Sequence, residues 1–149
     1  MDHAEIRFNI LHYLYQKHYS NELGHKQRID KIIEGSGLQD IHRNAIYGDV
    51  IFLLNKGLIE GKHYLGDSYP NHVKITKNGI DQVEHIIYQI GYDIKNSGSI
   101  VQVKKTQFNE ILKNEGPSSK IQAAFQYIKN NPELFTSIFD KVTRAFLGK

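Results

Sequence analysis

The sequence predicts a mainly helical α+β chain, on three observations. Apolar residues recur at helical spacing through several long runs, one interval between Leu58 and Ile75 reads as two short strands about a turn, and breaks rich in Gly, Pro or Ser separate the helical runs. The order is helix, helix, helix, hairpin, helix, followed by a C-terminal helical extension. A chain of 149 residues with 40% hydrophobic content holds one modest core, or a small domain with an appendage.

The first helix is expected over Ala4 to Tyr19, where Ile6, Ile10, Leu11, Leu14 and Tyr15 keep helical spacing and no Gly or Pro intervenes before Gly24. A polar stretch from Ser20 to Gln27 follows. Ile29, Ile32 and Ile33 then mark a short second helix that stops at Gly35-Ser36-Gly37. The third helix is expected to start at Asp40 as its cap and to carry Ile41, Ala45, Ile46, Val50, Leu53 and Leu54. Gly57 suits its left-handed C-terminal position. Leu58 to Leu65 reads as a strand, Gly66 to Asn71 as a turn, and His72 to Ile75 as the returning strand. Thr76 can cap a fourth helix striped by Ile80, Val83, Ile87 and Ile90, with Gly79 a weak point near its start.

Past that helix, Lys95-Asn96-Ser97-Gly98-Ser99 reads as a flexible joint, which divides the chain into domains at 1–94 and 95–149. Ile100 to Val103 is an extended or helical lead-in to a helix over Lys104 to Asn114 that stops at Gly116-Pro117. Ser118 or Ser119 can cap the next helix, with Ile121, Ala124, Phe125 and Ile128 in register. Pro132 opens a last helix whose apolar face comprises Leu134, Phe135, Ile138, Phe139, Val142, Ala145 and Phe146.

Two segments carry a resemblance. Leu53-Leu54-Asn55-Lys56-Gly57-Leu58-Ile59 looks like the end of a recognition helix turning into a wing, and Val73-Lys74-Ile75-Thr76-Lys77-Asn78-Gly79 looks like a wing's last strand entering a helix. With a hairpin of suitable length between them, Met1 to about Tyr92 resembles the winged helix-turn-helix family of transcription regulators. The resemblance implies an N-terminal winged helix-turn-helix with a two-stranded wing, and double-stranded DNA as the partner. The helix from Asp40 to Lys56 would read the major groove. Fold alone does not fix function. The alternative is a winged-helix protein–protein interaction module in a larger assembly, without DNA binding.

In the family pattern Ile41, Ile46, Val50 and Leu53 face the core, leaving His42, Arg43, Asn44, Tyr47 and Gly48 toward DNA. Arg bonds bidentately to guanine and Asn to adenine, Gly48 admits close backbone approach, and Tyr47 and His42 suit phosphate or sugar. The wing offers Lys62, His63, Tyr69, Asn71, His72 and Lys74, with Lys62 and Lys74 the best phosphate ligands. Asp49, Glu60 and Asp67 oppose this, because a carboxylate facing phosphate weakens binding unless turned away or paired. Charge opposes it too. Met1 to Asn96 holds eleven Lys/Arg against twelve Asp/Glu, a net of −1, whereas Ser97 to Lys149 holds eight against four, a net of +4. Affinity per domain is therefore expected to be modest, with a homodimer linking two half-sites.

Ile51 and Phe52 stand where the family often has polar residues, so the C-terminal segment, another subunit or the first helix is expected to cover them. On the last helix Phe135, Ile138, Phe139, Val142 and Phe146 are the expected interface. Lys141, Arg144 and Lys149 also suit a membrane-surface helix, but Glu133 and Asp140 interrupt the basic face and favour dimer or partner docking.

The remaining classes find little support. The sequence has no cysteine, which removes disulfides and thiolate metal sites. It shows neither a secretory signal nor a run long enough to span a membrane, so a cytoplasmic location is expected. Gly35-Ser36-Gly37 lacks the Lys-Ser/Thr of a phosphate loop. Asp81 with His85, or His12 with Asp2 or Glu5, lacks a third ligand spaced with it, and no nucleophile elbow occurs. No catalytic residue, metal or cofactor is expected.

Overall fold

A computed structural model describes residues 1–20, 27–62, 70, 72–113 and 116–148. Among these the chain is mainly helical, with seven helices and one small antiparallel sheet. The chain forms two compact units, Met1–Val83 and Glu84–Lys149. The dividing point lies inside the fourth helix, ahead of the joint expected at Lys95 to Ser99, which follows that helix.

In the first unit α1 (His3–Tyr19) is the central element. Asp2 caps it, its carboxylate accepting the Glu5 amide hydrogen at 2.9 Å, and Glu5 and Lys17 sit at the ends where they complement the helix dipole. Phe8, Asn9, Ile10, Leu11 and His12 are all buried in succession, so this helix is covered on more than one face. It packs against α2 (Ile29–Gly35), α3 (Arg43–Asn55) and a strand of the sheet. The buried Asn9 amide is satisfied within the helix, donating to the Glu5 carbonyl at 2.8 Å.

Both α2 and α3 end in the same device. Gly37 and Gly57 adopt φ of 72° and 71°, and the residue after each, Leu38 or Leu58, donates its amide back to Ile33 or Leu53 at 3.0 Å. This left-handed turn satisfies the open carbonyls and tucks the following leucine into the core beside the residue it bonds. One expectation fails between the two helices. Asp40 does not cap α3: residues 38–41 form a turn closed by the Ile41 amide on the Leu38 carbonyl, and the helix begins at Arg43 with His42 as its cap. The Gly37 turn consumes the residues that would have extended the helix, and Ile41 is left half-buried outside it.

The sheet comprises β1 (Gln27–Arg28), β2 (Ile59–Gly61) and β3 (His72–Ile75) in the order β1-β3-β2. The two antiparallel strands expected from the sequence are present as β2 and β3, and the sheet holds a third strand, β1, that the sequence reading did not include. Gln27 and Arg28 pair with Val73 and His72 along the other edge of β3, and so short a strand shows no alternation in sequence. In the hairpin Ile59, Val73 and Ile75 turn inward, while Glu60, His72 and Lys74 turn outward.

Thr76 caps α4 (Lys77–Lys95), its hydroxyl accepting from the Gly79 amide at 3.1 Å and donating to the Gly57 carbonyl at 2.6 Å. Gly79 is more than a weak point. A Cβ there would lie 2.1 Å from the Leu58 carbonyl oxygen and 2.6 Å from the Ile75 side chain, so only glycine lets α4 start against the hairpin. Val83, Ile86, Ile87, Ile90 and Ile94 are its buried positions.

The second unit contains the rest of α4 with α5 (Gln102–Leu112), α6 (Pro117–Asn130) and α7 (Pro132–Leu147). The expected serine caps of α6 are corrected: Gly116, at φ 86°, is the cap and Pro117 is the first helical residue, where its fixed φ is favourable. Phe135 is central, its ring 6.2 Å from Phe108 and 5.5 Å from Tyr127, with Phe125 stacked on Phe139 at 5.8 Å. Burial pushes the Tyr127 phenol above its ordinary pKa. On α7 the buried residues are Phe135, Phe139, Val142, Thr143 and Leu147, whereas Ala145 and Phe146 are exposed. The face follows rows of i, i+4, and the Thr143 hydroxyl is accommodated by donating to the Phe139 carbonyl at 2.9 Å. No described helix is long and apolar enough to cross a membrane.

Two glycine substitutions test this packing with opposite signs. Gly79→Ala should lower unfolding stability by roughly 1–3 kcal/mol through overpacking against Leu58. Gly48→Ala, in mid-helix with open space around the added methyl, should raise it by about 0.5–1 kcal/mol. Urea unfolding of both variants checks the pair, and equal destabilisation would contradict the proposed close approach.

Candidate nucleic-acid interface

The α3 residues expected to face outward do so. His42, Arg43, Asn44 and Gly48 are exposed and Tyr47 is half-buried. They emerge because Ile46, Val50 and Leu53 are fully buried on the other side of the helix. The His42 ring caps the helix, its Nδ1 accepting the Asn44 amide hydrogen at 3.2 Å. Arg43 is held in place: its Nη1 donates to the Tyr47 hydroxyl at 3.1 Å and to the Asp30 carboxylate on α2 at 3.0 Å. The Tyr47 hydrogen bond, then that of Asp30, raises the Arg43 pKa further above its already high ordinary value. The residue is therefore a fixed positive charge.

Asp49 is the only acidic residue of α3, and it does not face outward. Its side chain is 1% exposed and accepts from Arg7 Nε at 2.8 Å and from His3 Nδ1 at 2.9 Å, both on α1. The concern that this carboxylate would oppose phosphate is thus removed by packing. The same Arg7 guanidinium lies over the Phe52 ring, 3.5 Å from its centroid, with Lys56 Nζ at 5.5 Å. A cation over the ring face is a favourable cover, so Phe52 is shielded by α1, and Ile51 is half-buried beside it. The sequence reading missed His3 and Arg7. Both lie more than forty positions from Asp49, and no local pattern relates them.

On the hairpin Lys62 and His72 are exposed, while Lys74 lies directly opposite Glu60 and pairs with it at 3.1 Å. His63, Tyr69 and Asn71, with Asp67, lie outside the described residues. Arg43 and Lys74, expected from the sequence as the leading base and phosphate contacts, are therefore each matched with a carboxylate. Exposed pairs of this kind are weak, so a phosphate can displace either carboxylate at small cost. Among the described residues no group of three or more His, Asp or Glu side chains could hold a metal ion.

The α7 residues expected at an interface separate into two sets. Phe135, Phe139 and Val142 are buried in the core of their own unit, a correction that follows from their packing on α5 and α6. Ile138 is half-buried and Phe146 is 37% exposed, so these two retain surface. No protein-family model, curated protein or solved structure matches the chain.

The Asp49 cluster predicts an ordered set of stabilities in urea unfolding. Arg7→Met strands a buried carboxylate and should cost roughly 3–5 kcal/mol, much of it recovered in Arg7→Met/Asp49→Leu. His3→Ala, at an exposed position, should cost less than about 1 kcal/mol. A double variant as unstable as Arg7→Met would show that the buried charge is not the source of the loss.

Proposed function

We propose that the protein is a DNA-binding transcriptional regulator of winged helix-turn-helix type, with α3 in the major groove and the β2–β3 hairpin against the backbone. The order of three helices, hairpin and fourth helix supports the fold reading. The observation that carries the function is the burial of Asp49. It leaves the outward face of α3 with Arg43, Asn44, Tyr47 and Gly48 and no carboxylate of its own, a surface of donors and one fixed cation. Lys62 and Lys74 supply the backbone contacts. Homodimerisation through the surface left at Ile138 and Phe146 would offer two such helices to two half-sites.

The first unit favours one further reading. It holds ten Lys/Arg against ten Asp/Glu, a net charge of zero, so an interaction module that binds protein rather than DNA is the competing assignment. Anisotropy with a mixed-sequence duplex separates the two. Under the DNA reading, log affinity falls with log salt at a slope of about −0.9 per phosphate neutralised. Arg43→Ala and Lys74→Ala weaken binding, and Lys74→Ala makes the salt slope shallower by about one. Asp30→Asn and Glu60→Gln, which release the two cations, strengthen it. Absence of duplex binding at low salt, with the fold intact, would transfer the assignment to the interaction module.

A further inference from the structure

The positive charge of the protein resides in the second unit, where nine Lys/Arg face six Asp/Glu, a net of +3. Part of it borders a shallow groove between α4 and α5. Gly91 and Leu112 form its floor, because a Cβ at Gly91 would approach the Leu112 methyl to 2.8 Å, and the two helices meet there. Tyr88 and Tyr92 stand along one wall, one helical turn apart, with 42% and 64% of their surface exposed. Lys95 continues that wall, and Asn109 and Lys113 stand on the other.

Tyr92 is exposed over most of its surface and Tyr88 over less than half, so two rings on successive turns stand open beside several lysines. Lys120 Nζ lies 5.4 Å from the Tyr88 centroid, bringing a third cation to the groove. Among the described residues the Tyr92 ring stacks on no other ring. Two of the acidic groups nearby are engaged: Glu110 pairs with Lys113 at 3.5 Å, and Asp93 accepts from Gln89 at 3.0 Å and lines a separate depression with Lys141.

We infer that this groove binds single-stranded nucleic acid, with unpaired bases stacked on Tyr92 and Tyr88 and phosphates on Lys95, Lys113 and Lys120. Flat aromatic faces suit bases of any sequence, and lysines without a fixed fork suit a flexible backbone. Duplex bases are already stacked on one another and cannot use the rings. An acidic peptide would use the lysines but not the aromatic faces. This binding is separate from the α3 surface and does not rest on it.

The test is anisotropy of a labelled 15-nucleotide oligothymidine with the full chain at low salt. Tyr92→Ala should weaken binding roughly 5- to 150-fold, the range expected for one lost stack, and Tyr92→Phe should restore it. Lys95→Ala/Lys113→Ala should reduce both affinity and salt dependence, whereas Arg43→Ala, which weakens duplex binding under the function proposed above, should leave the oligothymidine unaffected. Failure to bind oligothymidine, equal binding by Tyr92→Ala, or displacement by oligoglutamate as effective as by unlabelled oligothymidine would each overturn the assignment.

Discussion

The carboxylate of Asp49, buried on α3 and held by Arg7 and His3 of α1, is the constraint around which the first unit is arranged. A buried carboxylate needs an opposite charge and hydrogen-bond donors, and among the described residues only α1 supplies them. The bond therefore fixes the rotation of α3 about its axis relative to α1. Once that rotation is set, Ile46, Val50 and Leu53 go inward and His42, Arg43, Asn44 and Gly48 go outward. Arg7 contributes twice, since the guanidinium that holds Asp49 also covers Phe52. A single side chain thus withdraws a negative charge from the surface around α3 and partly covers an aromatic ring there.

The hairpin is tied to this frame by backbone contacts. Gly57 turns α3 into β2, Leu58 closes the turn by bonding Leu53, and the Leu58 carbonyl accepts the Thr76 amide across the base of the hairpin. Thr76 simultaneously caps α4 and bonds the Gly57 carbonyl, and Gly79 allows the helix to begin at that distance. Four residues therefore link the end of α3, the base of the hairpin and the start of α4. This linkage places Lys74 and Glu60 on the outward face of the same strands whose Val73 and Ile75 are buried.

Much of this was legible along the chain. Helical spacing located the seven helices among the described residues, and glycine positions located the ends of α2 and α3. Thr76 was readable as a cap because cap chemistry is local. The departures share a cause. The Asp40 cap failed because the Gly37 turn occupied its place, and β1 escaped notice because two residues become a strand only when β3 offers an edge. Phe135, Phe139 and Val142 were expected at an interface because a broad apolar face has no label saying which part its own unit will cover. The groove beside Tyr88 and Tyr92 was equally invisible, since it requires α5 to meet α4 at Gly91.

The sequence by itself determined the helical class, the order of elements and the set of polar residues on one side of α3, because periodicity and capping act within a few residues of each other. Only the tertiary structure decided what those polar residues present. Asp49 is withdrawn by Arg7, Arg43 is held by Asp30 and Tyr47, and Lys74 is matched by Glu60. The interaction of charges depends on their distance in space, and these partners are brought together by the packing of α1, α2, α3 and the hairpin.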